Sequence, residues 1–147
     1  MSSIFNKADN DLLIARINNL TPESQALWGK MSVDQMLKHT EAAVAVAFAE
    51  KELKVNFLMR LLGKILKKKV FNNDFQKNSP TAAEFVFTST YDFEKAKAAL
   101  IDKFSRFAAG EESITLTEHP FWGKMTSEDW NTLMWKHMDH HLRQFGV

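Results

Sequence analysis

Four stretches of this chain carry apolar residues at the three-and-four spacing of an α-helix, and polar runs separate them. The first opens at Ser32-Val33-Asp34-Gln35, a capping box, and runs to about Ala49 with Val33, Met36, Leu37, Thr40, Val44 and Phe48 along its buried stripe. The second begins at Asn56; Phe57, Leu58, Leu61, Leu62, Ile65 and Leu66 form its apolar face, while Arg60, Lys64, Lys67, Lys68 and Lys69 crowd its end. The third starts at Asp92, carries Phe93, Ala96, Leu100, Phe104 and Phe107, and stops at Gly110. The fourth is capped at Thr126-Ser127-Glu128-Asp129 and carries Trp130, Leu133, Met134, His137, His141 and Leu142. Ahead of these, Asp9 or Asn10 is positioned to cap a shorter helix bearing Leu13, Ile14, Ile17 and Leu20. Thr21-Pro22-Glu23-Ser24 signals another short helix, running to about Trp28 and ended by Gly29.

This inventory predicts an all-α fold, a four-helix bundle with helices at roughly 32–49, 56–69, 91–109 and 126–144 and a helical N-terminal extension. At 147 residues the simplest organisation is one domain, 1–147. Residues 71–82 read as loop, and Glu84 to Thr88 as a short β-prone segment that is extended rather than paired. Residues 111–125 make a long connection holding His119-Pro120-Phe121-Trp122, and connections of that length are often functional. His119 itself reads most simply as a surface residue. Two readings of the basic helix at 56–69 stand side by side. One is a bundle helix with its solvated face outward and its cations favoured by the dipole at its C-terminus. The other is an amphipathic helix for an anionic surface or a partner. The first is the simpler expectation.

Composition narrows the chemistry. A formal net charge of +1 gives no electrostatic footprint for nucleic acid. No apolar run approaches membrane-spanning length, and the first residues lack the apolar core of a signal peptide. The expectation is a cytoplasmic protein whose partner is a small molecule, with neither nucleic acid nor membrane involved. Cysteine is absent, so a metal must be held by nitrogen and oxygen, and any thiol must come from outside.

His137 and His141 are four residues apart, which places both imidazoles on one helix face. His140 competes with His141 through its three-residue spacing to His137; His141 is preferred because it stays nearer the stripe of Trp130 and Met134. His39 is the third candidate, and its surroundings repeat. Trp28-Gly29-Lys30-Met31-Ser32 leads into its helix, as Trp122-Gly123-Lys124-Met125-Thr126 leads into that of His137. Shared helix-start chemistry and descent from an ancestral helix pair both account for the echo. His39 lies 11 residues after its Trp and His137 lies 15 after its own, so if the two helices pack in parallel with level starts, a stagger of about one turn would level them. Three imidazoles suit zinc, nickel or ferrous iron and leave a coordination position open, as in catalytic zinc sites; manganese is a further divalent ion not distinguished from these by the sequence. Glu41, Asp139 and Gln144 are nearby in sequence as partners for the ligands. Glu-x-x-His, His-Glu-x-x-His and Gly-x-Ser-x-Gly are all absent, which argues against a carboxylate-bridged di-metal centre, a zinc protease and a serine-hydrolase elbow.

The histidine on the early helix, the ending His137-x-Asp-His140-His141-x-Arg-Gln144-Phe-Gly, Leu27-Trp28-Gly29-Lys30-Met31 and His119-Pro120-Phe121-Trp122-Gly123-Lys124 together resemble one branch of the DinB-like superfamily, also called YfiT-like. The resemblance covers nearly the whole chain. It implies a four-helix bundle, often a homodimer, that holds a divalent metal by three histidines, here His39, His137 and His141. It also implies activation of water or of an external low-molecular-weight thiol as cosubstrate, with Gln144 as a candidate for orienting substrate. The alternative is a non-catalytic helical protein that binds a small ligand or a partner.

Overall fold

The computed structural model describes residues 2–147. They form a predominantly helical protein of five α-helices: α1 (Lys7–Asn18), α2 (Val33–Ala47), α3 (Phe57–Asn72), α4 (Phe93–Ser105) and α5 (Ser127–Gln144). Short 3₁₀ turns lie at Ala83–Phe85, Arg106–Ala109 and Glu111–Ser113. A two-residue antiparallel ladder joins β1 (Glu118–His119) to β2 (Gly123–Lys124).

The helix starts follow from local polar chemistry. Gln35 accepts from the Ser32 N–H at 3.1 Å, and Thr126 and Asp129 exchange reciprocal bonds at the head of α5. The two Trp-Gly-Lys-Met lead-ins therefore do end in capped helix starts. The first helix begins earlier than Asp9 or Asn10, because Asn6 is its cap and accepts from the Asp9 N–H. Asn10 is instead fully buried and donates to the Ile4 and Phe104 carbonyls, tying the N-terminus to α4.

The expected short helix from Thr21 to Trp28 does not form; the segment is turn and loop. Its local signal is outcompeted. Ser24 caps a single turn back to Thr21, and the Leu27 N–H donates to the Gln144 carbonyl at the far end of the chain. This loop is drawn onto the end of α5.

α2 is the centre of the molecule. Eleven of the fifteen residues from Val33 to Ala47 are buried, and the helix packs on α4 and α5. The small residues Ala42, Ala43, Ala45 and Ala47 let these neighbours approach it closely. α1 closes the other side against α4 and α5 through Leu13 and Ile17. Leu100, Phe104, Phe107, Trp130, Met138 and Leu142 complete a core with no exposed surface to speak of.

α3 departs from its expected role. It touches only α5 and the short ladder to any extent, and buries just Gly63 and Phe71. Gly63 fits because it lies against the Phe121 carbonyl, which leaves no room for a Cβ. The apolar face expected to enter the core points outward instead: Phe57, Leu58, Leu61, Leu62 and Ile65 are all exposed. Amphipathicity decided that this stretch is a helix, but the neighbouring α5 and hairpin took its other side.

Candidate metal centre

α2 and α5 meet where their histidines are. His39 and His141 are buried and His137 is half-buried. The three ring centroids form a near-equilateral triangle of 4.7, 4.7 and 5.1 Å. One ligand-capable atom from each lies within 4.8 Å of the other two, so the three could hold a metal ion. The start of α2 lies beside the end of α5, where Trp28 meets His140 and Gln144, so the two helices run in opposite directions and the rings meet without the stagger that parallel helices would need.

Hydrogen bonds fix the tautomers of two rings. The His39 Nδ1–H donates to the Phe85 carbonyl at 2.9 Å, because a carbonyl can only accept. Its Nε2 is left with a free lone pair. Gln144 Nε2 donates to the Trp28 carbonyl at 2.9 Å, so its Oε1 is the acceptor facing His141. The His141 Nδ1–H donates to that oxygen at 2.8 Å, and again Nε2 is left free. The Nε2 atoms of His39 and His137 stand 3.1 Å apart. Two nitrogens bound to one ion at 2.0–2.1 Å would be separated by about 3 to 3.4 Å, so the spacing fits a shared ion. The donor set fits as well, since imidazole is accepted by zinc, nickel and iron alike.

Electrostatics point the same way. Burial pushes the pKa of all three imidazoles down. For His39 the bond to Phe85 opposes the shift. His137 is held well below its ordinary value, first by burial and then by the other histidines around it. His141 is lowered to about 3 by burial and by His39, against the bond to Gln144. The rings are thus neutral and able to offer lone pairs at physiological pH, which is the state metal binding needs.

The wall around the trio is aromatic. Phe85 stands edge-on to His39, and Phe75 flanks both His137 and His140. Both phenylalanines come from the long connection between α3 and α4. His140 is buried between Trp28 and Phe75, outside the triangle. Lys77 lies over the Trp28 ring at 4.3 Å.

Among the sequence candidates, His39, His137 and His141 come together. Of the three residues expected as partners for the ligands, Gln144 takes that role. It is buried, with both ends of its amide engaged, one by His141 and the other by the Trp28 carbonyl. Glu41 and Asp139 do not reach the rings. Glu41 pairs with Lys38 and Lys103, and Asp139 with Arg16 and Arg143. His119 is not at the surface: it is buried against Trp130, and its Nδ1 accepts from the Phe121 and Trp122 N–H groups. The Phe85 carbonyl was missed because a backbone acceptor has no side-chain signature. Phe75 had a faint one, as a lone aromatic in a polar stretch.

Gly29 explains the first Trp-Gly step. It has φ +80°, and a Cβ there would lie 2.7 Å from Gln144 Nε2. The loop thus reaches Gln144 closely enough for the Trp28 carbonyl to hold it. The second Trp-Gly step, at Gly123 with φ +74°, packs against Lys64 of α3.

The model of a family described as a protein of unknown function (DUF1569) matches residues 5–146. No curated protein and no solved structure matches the chain.

Proposed function

The chain belongs to the DUF1569 family, and we propose that it is a single-domain, DinB-like four-helix protein that binds one divalent metal ion through His39, His137 and His141. The observation that carries this reading is the convergence of three neutral imidazoles with two of their Nδ1–H groups already committed to acceptors. The Nε2 lone pairs left on His39 and His141 would both be satisfied by one cation shared with His137. Zinc, nickel, manganese and ferrous iron all remain candidates for the ion.

Three protein ligands leave room for an exogenous one, and a bound divalent ion would make water or an incoming thiol a nucleophile near neutral pH. The reaction class that follows is hydrolysis or transfer to a low-molecular-weight thiol. The residues themselves supply the frame. Phe85 and Gln144 set the direction of two rings, Trp28 holds Gln144, and Phe75 with Phe85 keeps the surroundings apolar. His137 has no such Nδ1 partner among the described residues.

Thermal melting tests the reading. The chelator-treated protein is melted alone and with zinc, nickel or manganese, beside His137→Ala. Binding to the folded state raises the melting point by mass action, about 2.7 kcal/mol of stability at a hundredfold excess over Kd. The wild type should rise with at least one ion and the variant should not. Identical melts throughout would leave a non-catalytic helical protein.

A further inference from the structure

The outward face of α3 is the largest feature that the metal centre does not use. Phe57, Leu58 and Ile65 are 80%, 74% and 68% exposed, and Leu61 and Leu62 are about half exposed. Counted at 100° per residue these five fall on one arc of about 140°, and Lys68 and Lys69 continue the same arc one turn further on. Elsewhere, exposed large apolar residues are scattered singly, at Leu12, Leu27 and Val86. The helix cannot roll this face inward, because Gly63 on its opposite side lies against the Phe121 backbone and Phe71 packs on Trp122.

Charge identifies the occupant. From Leu53 through Asn73 the chain has six cations and no carboxylate. Arg60 is paired with Glu118 and Lys67 with Asp129, both from outside the helix. Lys64, Lys68 and Lys69 are exposed and make no ion pair among the described residues. A second copy of the chain is a poor match. Lysine is depleted at protein interfaces, and two such faces brought together would oppose cations with no carboxylate between them. An anionic lipid surface satisfies both halves of the face at once. Phenylalanine and leucine enter the acyl boundary, and lysines reach the phosphates on their long stems.

We propose that α3 docks this protein on an anionic membrane surface, lying in the interface plane with Phe57, Leu58, Leu61, Leu62 and Ile65 inserted and Lys64, Lys68 and Lys69 on the headgroups. This reverses the sequence expectation that no membrane is involved, and it stands independently of the metal centre.

The test is flotation of the purified full chain with vesicles of phosphatidylcholine alone or with about 30% phosphatidylserine. Two double variants, K68E/K69E and L61S/I65S, are run beside it, with light scattering for mass and circular dichroism for helix content. The wild type should float with the anionic vesicles only, and about 0.5 M salt should weaken it. Each double variant should reduce the bound fraction about tenfold while keeping its helix content. Absence of flotation with anionic vesicles, or equal flotation of all three proteins, overturns the proposal. So does a stable dimer that L61S/I65S splits and vesicles fail to recruit, which would assign the face to a second copy.

Discussion

Acid should loosen this protein through His119, and the size of the effect can be worked out. His119 is buried, and its Nδ1 accepts two backbone N–H groups that form the 118–124 hairpin. Protonation turns that acceptor into a donor and sets N–H against N–H. Burial, with the Lys67 charge second, lowers the His119 pKa to about 4. In the unfolded chain it returns to about 6.5. The folded pKa is the lower one, so between these values the unfolded state binds more protons and stability rises with pH. The contribution is complete above about pH 6.5, declines as pH falls through this window, and is lost by about pH 4. At pH 5 the loss amounts to about 2 kcal/mol, approaching about 3 kcal/mol at the bottom of the window. His119→Asn places an amide oxygen near the lost Nδ1 and removes the titration. Its smaller volume adds a cost that does not depend on pH. Urea unfolding of both proteins with chelator present, at pH 7.5 and pH 5, isolates the effect, because carboxylates and the other histidines titrate alike in both. The wild type should lose about 2 kcal/mol more than the variant between the two pH values. Equal losses would show that His119 does not hold the hairpin as a neutral acceptor.

Other consequences concern the support of the trio. Gln144→Leu leaves all three imidazoles but strands the His141 Nδ1–H, so metal affinity measured by chelator competition should fall about 10- to 100-fold; unchanged affinity would remove Gln144 from the account. Gly29→Ala forces a Cβ against Gln144 at a positive φ and should cost about 1–2 kcal/mol in urea unfolding, while weakening metal binding in the same direction as Gln144→Leu. A loss of stability without a loss of affinity would separate the Trp28 loop from the centre.

The helices and the trio were legible because both depend on period. Apolar spacing located α2, α4 and α5 closely, and the four-residue step from His137 to His141 needed only a helix beneath it. What failed depended on long-range partners. Thr21 to Trp28 has helix-start residues, yet its Leu27 N–H bonds to the end of α5. Gln144 looks like any polar residue in a last turn until the Trp28 carbonyl returns to hold it. His119 sits in a two-residue strand within the long connection, where no periodicity announces burial, and Trp130 supplies its cover. For α3 the pattern was read correctly and its direction was not. A helix records which of its faces is apolar, but not whether its own fold will cover that face.

Ion binding by the three rings can be measured directly. Cobalt(II) titration of the chelator-treated protein reads this through both stoichiometry and the visible spectrum of a nitrogen-ligated ion. One ion per chain is predicted for the wild type, with the spectrum abolished in His39→Ala, His137→Ala and His141→Ala alike. No bound ion, or a wild-type spectrum that survives the loss of any one of these histidines, would contradict it.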